Sequence, residues 1–154
     1  MARVFIVTPR GGLFTVMYSV DQPVGVGLAN RKDDVLLVQF FLARAREQDA
    51  RGNPGFVPPG QREITIDGTF GPITAAHIKF LQTETNQRTA SGRVLADGRV
   101  DPLGGKLLGQ RTSSLLTMAV LNFEYLNRQG TGFHANISID PLFPVDLKPS
   151  LFMS

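Results

Sequence analysis

The sequence contains no cysteine, so neither a disulfide framework nor a thiolate metal site is available to it. A chain without cysteine works equally well inside or outside a cell, and the redox compartment stays open. Histidine is nearly absent too. His77 and His134 stand alone, with no H-x-E-x-H-type spacing, so zinc hydrolase chemistry lacks a ligand set. No run approaches the roughly 20 apolar residues of a membrane-spanning helix. Met1 to Val7 holds one arginine and a short apolar patch before Thr8-Pro9-Arg10-Gly11-Gly12 interrupts it. A secretory core needs roughly 7–15 apolar residues, so no signal peptide is expected, and synthesis in the cytoplasm is. Neither sign of charge dominates, with 16 Lys and Arg against 13 Asp and Glu. The formal net charge of +3 permits acidic partners without demanding them.

What is present is a composition suited to one folded domain: 154 residues, 42% apolar and 19% charged. Val4 to Val7 and Leu13 to Val20 are β-branched and aromatic around a Pro-Arg-Gly-Gly turn, which predicts an N-terminal β-hairpin. Residues 21–31 read as a connector. A first helix opens at Lys32-Asp33-Asp34 with Asp33 as N-cap. It is apolar on most sides (Val35, Leu36, Leu37, Val38, Phe40, Phe41, Leu42), which predicts a central helix covered on more than one face. Gln48 to Arg62, rich in Pro and Gly, must be a long loop. Ile64-Thr65-Ile66 fits a short strand. A second helix is expected from Pro72 to about Thr85, with Ile73, Ala76, Ile78 and Leu81 inward. A third is expected from Thr112 to Arg128, capped by Ser113-Ser114 and ended by Gly130. Pro141, Pro144 and Pro149 then break every pattern. The fold class is mainly α: a three-helix module over 32–130, an N-terminal hairpin arm and connector over 1–31, and an extended Pro-rich tail over 131–154. The apolar Leu142, Phe143, Leu147, Leu151 and Phe152 imply that this tail lies against something.

One internal echo carries more information. Asp67-Gly68-Thr69-Phe70-Gly71-Pro72-Ile73-Thr74 returns as Asp97-Gly98-Arg99-Val100-Asp101-Pro102-Leu103. In each copy Asp accepts local N–H bonds, Gly takes a positive φ, the apolar residue plugs the core and Pro presets φ. On these residues the chain resembles the peptidoglycan-binding domain family. Those are three-helix modules with a first helix V-x-x-L-Q-x-x-L, matched here by Val35, Val38, Gln39 and Leu42. An Asp-Gly-x-Phe-Gly-Pro-x-Thr turn follows, which Asp67 to Thr74 matches throughout. Thr74, Ile78, Leu81 and Gln82 follow the family's second helix, and Asp97-Gly98, Val100 and Pro102 repeat the turn. The chain departs from the family in the length of its 48–62 loop, in His77 where a small residue is usual, and in Asp101 and Gly104-Gly105 within the second turn.

The resemblance implies a non-catalytic module that binds peptidoglycan or another wall glycan through the surface beside the first turn and second helix. The candidate contacts are Thr69, Phe70, Gln82, Arg88, Arg93 and Arg99. Hydroxyl, amide and guanidinium groups suit acetamido and carboxylate groups. No catalytic centre is expected. Asp67 and Asp97 are explained by turn capping, His77 by packing within the helix, His134 by a place in the loop after the third helix, and Ser113-Ser114 lack a partnered base. The Gly-rich pieces around Gly11 and Gly104 lack phosphate-loop context, so no cofactor is expected. Arg88, Arg93, Arg99, Lys106 and Arg111 form a basic stretch with few interleaved aromatics, which disfavours nucleic acid. The alternative function is a structural subunit of a phage tail or contractile injection particle, contacting other subunits through residues 1–20 and 132–154.

Overall fold

In a computed structural model the chain is described over residues 2–7, 15–88, 93–103 and 115–149. Two strands, β1 (Arg3–Val7) and β2 (Thr15–Ser19), pair antiparallel with Val4 opposite Tyr18 and Ile6 opposite Val16. Three helices follow: α1 (Lys32–Ala45), α2 (Pro72–Arg88) and α3 (Thr117–Ala135). Two single 3₁₀ turns, Ile137–Ile139 and Val145–Leu147, follow among the described residues. The mainly helical class with an N-terminal hairpin is what the sequence implies. Among the described residues, no helix is long and apolar enough to cross a membrane.

Helix α1 is central because it has almost no polar face. Every residue from Asp34 to Leu42 is buried. Helix α3 packs along it, β2 packs on α3, and the second 3₁₀ turn packs on α1. Phe40, Phe41 and Tyr125 meet with ring centroids 5.4–5.5 Å apart. Phe143 adds an edge-to-face contact to Phe40 at 5.6 Å. Each such buried ring contributes about 2–3 kcal/mol through area removed from water.

Three boundary expectations are corrected. Asp33 does not cap α1. Arg31 occupies the cap position without a side-chain bond, and Asp33 Oδ2 instead accepts the Ala2 N–H at 3.0 Å. The buried Asp34 accepts the N–H groups of Asp21 and Gln22, which ties the connector to α1. Gly130 ends the regular part of α3, as expected, but a further short helical stretch follows it. At φ 87° it breaks the helical geometry, yet the chain resumes helical turns to Ala135. His134 therefore lies in a last helical turn, buried, and not in a loop. Ile64–Ile66 forms no strand, since its backbone has no neighbouring strand to pair with among the described residues. The expected cap at Ser113-Ser114 and the residues Leu151 and Phe152 lie outside the described residues.

The described segments nearest each end are tied into the same core. Met17, Tyr18 and Val20 are buried, as are Ile137 and Leu147. The first 3₁₀ turn packs on α3 and the second on α1, so residues 137–147 lie against the helices, as their apolar residues imply, but in turns and not as an extended strand. The anchor of this segment is Asp140. Arg44 donates Nε to Asp140 Oδ2 at 2.9 Å and Nη2 to Oδ1 at 2.5 Å, and the Tyr125 hydroxyl donates to Oδ2 at 2.9 Å.

Candidate functional site

The two Asp-Gly turns are built alike, and each is held by a glutamine from the helix before it. Gln39 Nε2 donates to Asp67 Oδ1 (3.2 Å), Thr69 O (3.0 Å) and Thr74 Oγ1 (3.1 Å). Its Oε1 accepts the N–H groups of Asp67 and Gly68. Gln82 repeats the pattern: Nε2 donates to Asp97 Oδ1 (3.4 Å), Arg99 O (2.9 Å) and Thr117 Oγ1 (2.9 Å), while Oε1 accepts Gly98 N–H. Within each turn the Asp carboxylate accepts the N–H two residues on, at 2.9 Å. Gly68 and Gly98 both sit at φ 76°, a conformation that costs a residue with a Cβ about 1–2 kcal/mol. Each clamp therefore ties one helix, one turn and the first turn of the next helix into a unit.

This geometry removes Gln82 from the candidate ligand contacts. It is fully buried, and both ends of its amide are used within the chain. The inner face of α2 is likewise more polar than expected. Ile78 and Leu81 point inward with Thr74, His77, Gln82 and Thr85, whereas Ile73 and Ala76 are only partly covered. His77 is held between Arg46, whose Nη1 approaches Nε2 at 2.7 Å, and Ile73 O, 2.8 Å from Nδ1. Because arginine only donates, Nε2 must accept and Nδ1 must carry the proton. Burial first, and then the Arg46 charge, hold this imidazole below its ordinary pKa.

The remaining candidates do not converge. Thr69 is exposed at the first turn, where it lines a small groove with Thr65, Asp67 and Ile73. Phe70 is partly buried and packs on the core. Arg88 stands at the opposite end of α2, roughly 24 Å away by helical rise. Its guanidinium lies 4.2 Å over the Phe56 ring and donates to Pro54 O at 2.8 Å. Arg99 pairs with Asp101 at 3.0 Å beside the second turn, and Arg93 is exposed where its carbonyl accepts Leu115 N–H.

The larger opening lies elsewhere. A groove of about 720 Å³ runs between the 49–54 loop and the ends of α2 and α3, lined by Asp49, Arg51, Asn53, Arg88, Glu124 and Asn127 among others. The loop wall is held by hydrogen bonds of its own. Asp49 accepts the N–H groups of Arg51 and Asn53 and the Asn53 side-chain amide, and these donors hold its carboxyl below the ordinary value. The lining Arg88 is itself held over the buried Phe56 ring, with Arg128 5.6 Å from the same ring centre. Arg128 is in turn committed to Glu124 at 2.5 Å and to Glu47 O at 2.8 Å. The Arg51 guanidinium and Asn127 amide make no hydrogen bond among the described residues.

Of this groove, sequence reasoning named only Arg88. The one signal was the 48–62 loop itself, longer than the resembled family uses and now seen as one wall. Among the described residues there is no group of three or more His, Asp or Glu side chains placed to hold a metal. Compared with known proteins, the chain matches no family model, no curated protein and no solved structure.

Proposed function

We propose that the chain is a non-catalytic module that binds peptidoglycan or a related wall glycan. The observation that carries this reading is the doubled clamp, Gln39 on the Asp67 turn and Gln82 on the Asp97 turn. It gives a structural role to the motif residues through which the sequence resembles peptidoglycan-binding domains. The ligand surface is the groove at the far end of α2. Arg51 offers a guanidinium with unused donors to a stem-peptide carboxylate, and Asn127 offers an amide to an acetamido or hydroxyl group. Arg88 adds positive potential from a fixed position. The basic candidates Arg93 and Arg99 are secondary contacts, and Thr69 belongs to the small groove at the first turn.

The test is co-sedimentation of the full chain with insoluble sacculi. Saturable pelleting is expected, weakened at least tenfold by Arg51→Glu combined with Asn127→Ala. Absence of pelleting by the folded wild-type chain sinks the reading. Pelleting that the double variant leaves unchanged moves the ligand away from this groove.

A second reading, a structural subunit of a phage tail or contractile injection particle, is favoured by a different observation. Ile139, Leu142 and Val145 are exposed on the segment after α3, Val145 at 81%. Because Ile137 and Leu147 of that segment are core residues, its removal would damage the fold. The appropriate test is Ile139→Ser with Val145→Ser in the full chain. Loss of a large oligomer at unchanged helical content supports the subunit reading, and a wild-type chain that forms none removes it.

A further inference from the structure

The two edges of the β1–β2 sheet are closed differently. In an antiparallel pair, residues alternate between those whose N–H and C=O face the partner strand and those whose groups face away. Asn122 fixes the phase here. Tyr18 donates its N–H to Asn122 Oδ1 at 2.9 Å and accepts from Asn122 Nδ2 at 2.8 Å, so its backbone groups face α3 and not β1. Tyr18 is registered with Val4 and Val16 with Ile6. Those are therefore the non-hydrogen-bonded pairs, and the backbone groups of Val4 and Ile6 point out of the sheet. Ala2, in the same phase, is occupied by Asp33. Val4 and Ile6 have no hydrogen-bond partner on that side among the described residues.

An open edge is a template for another strand, and proteins that stay monomeric blunt theirs with lysine, proline or bulges. After Arg3 this strand reads Val-Phe-Ile-Val, uncharged and of high β propensity, and its pairing with β2 runs without a bulge. Sheets of only two strands are also marginal without added strands or packing.

We propose that β1 is a dimerisation strand, pairing antiparallel with β1 of a second copy about a twofold axis at Phe5. That axis sets Val4 of each copy opposite Ile6 of the other, so both outward-facing residues exchange their N–H···O=C bonds within the strand. An axis at Val4 would require Ala2, whose N–H is held by Asp33. An axis at Ile6 would run past the strand end at Val7. A second copy also closes both open edges at once, whereas a foreign strand brings an outer edge of its own. The two hairpins become one four-stranded sheet with a self-complementary interface.

The experiment is sedimentation velocity of the full chain over a concentration series, with amide exchange read at Val4 and Ile6. A dimer is expected, and those two amides gain protection as concentration rises. Val4→Pro removes an N–H that the hairpin does not use, and should give a monomer with an unchanged helical spectrum. Val4→Lys, at an exposed side chain, should raise the dimer dissociation constant at least tenfold and serves if the proline variant does not fold. A wild-type chain that stays monomeric, or a folded Val4→Pro or Val4→Lys variant that dimerises as before, overturns the proposal. Sacculus binding does not enter any of these readouts.

Discussion

Gln39 and Gln82 are equivalent residues: each is buried on its own helix and reaches a threonine hydroxyl 35 residues further along the chain. The threonines, Thr74 and Thr117, lie in the first turns of α2 and α3. The molecule thus contains one device twice, in which a helix sends an amide into the following turn and fixes where the next helix starts. Asparagines do related work with single residues. Asn86 bonds both backbone groups of Val94 at 2.8 Å, and Asn30 bonds both of Gly25. With two short strands among the described residues, these loops find backbone partners in side-chain amides, which a buried backbone requires.

Removing a clamp should cost more than an ordinary polar substitution. Gln82→Leu keeps the volume near the original but strands Gly98 N–H, Arg99 O and Thr117 Oγ1 without their partner. An unsatisfied buried group costs about 1–3 kcal/mol, so a loss of about 3 kcal/mol in urea unfolding is expected. Gln82→Glu should be at least as harmful, because a carboxylate cannot donate to Arg99 O. A loss under about 1 kcal/mol for both variants would show that the clamp is dispensable.

The two turn glycines separate conformational strain from crowding. Gly68 and Gly98 share φ 76°. A Cβ at Gly98 would meet nothing within 4 Å, but at Gly68 it would lie 2.6 Å from Lys32 Cγ and 3.3 Å from Lys32 O. Gly98→Ala should cost about 1 kcal/mol, the price of the backbone conformation alone. Gly68→Ala should cost more, since the Lys32 side chain must move and its backbone must give slightly as well. Thermal melts of the two variants side by side measure the difference, and equal melting temperatures would refute the crowding.

How much of this was legible follows from the range of each interaction. The helices were visible because apolar periodicity is local: Val35, Val38 and Leu42 announce α1 without knowledge of anything distant. The Asp67 and Asp97 turns were visible for the same reason. Gln82 was misassigned because a polar residue on a helix reads as exposed until its partners Arg99 and Thr117 are brought to it. Asn122 and His134 carried no signal at all, since their roles depend on Tyr18 at the other end of the chain. The groove residues Arg51 and Asn127 sit on separate elements that only the tertiary fold joins.

Two ion pairs join α1 to the segment after α3, and their environments predict unequal contributions. Arg44–Asp140 has side chains 14% and 0% exposed, whereas Lys32–Asp146 has 65% and 71%. Asp140→Asn leaves the Arg44 charge half-answered near the core and should cost about 3 kcal/mol. Lys32→Ala should cost no more than about 0.5 kcal/mol. Hydrogen exchange over residues 137–147 reports the same ordering locally: protection should collapse in the first variant and persist in the second.

Acid should weaken the fold through its two buried histidines. His134 donates from Nε2 to Asn122 Oδ1 at 3.1 Å and lies against the rings of Tyr18 and Tyr125. Burial lowers its pKa to about 4, and His77 is lowered in the same direction. The sign follows from linkage. In the unfolded chain both imidazoles take up a proton near pH 6.5, while in the folded protein His134 resists until about pH 4. Their contribution is complete above pH 6.5 and is lost as pH falls, with about 3 kcal/mol attached to His134 by pH 4. Asp34 acts in the opposite sense, because burial raises its pKa and protonation there relieves a buried charge. Asp140 titrates lower, for although burial alone would raise it, the bonds from Arg44, Leu142 N–H and Tyr125 hold it below the ordinary value. His134→Gln removes the titrating ring while retaining an amide donor for Asn122. Urea midpoints measured from pH 7 to pH 4 should fall less steeply for this variant than for the wild type. Parallel curves would mean that His134 titrates alike in the folded and unfolded chains, and the acid sensitivity would then rest with His77 and Asp140.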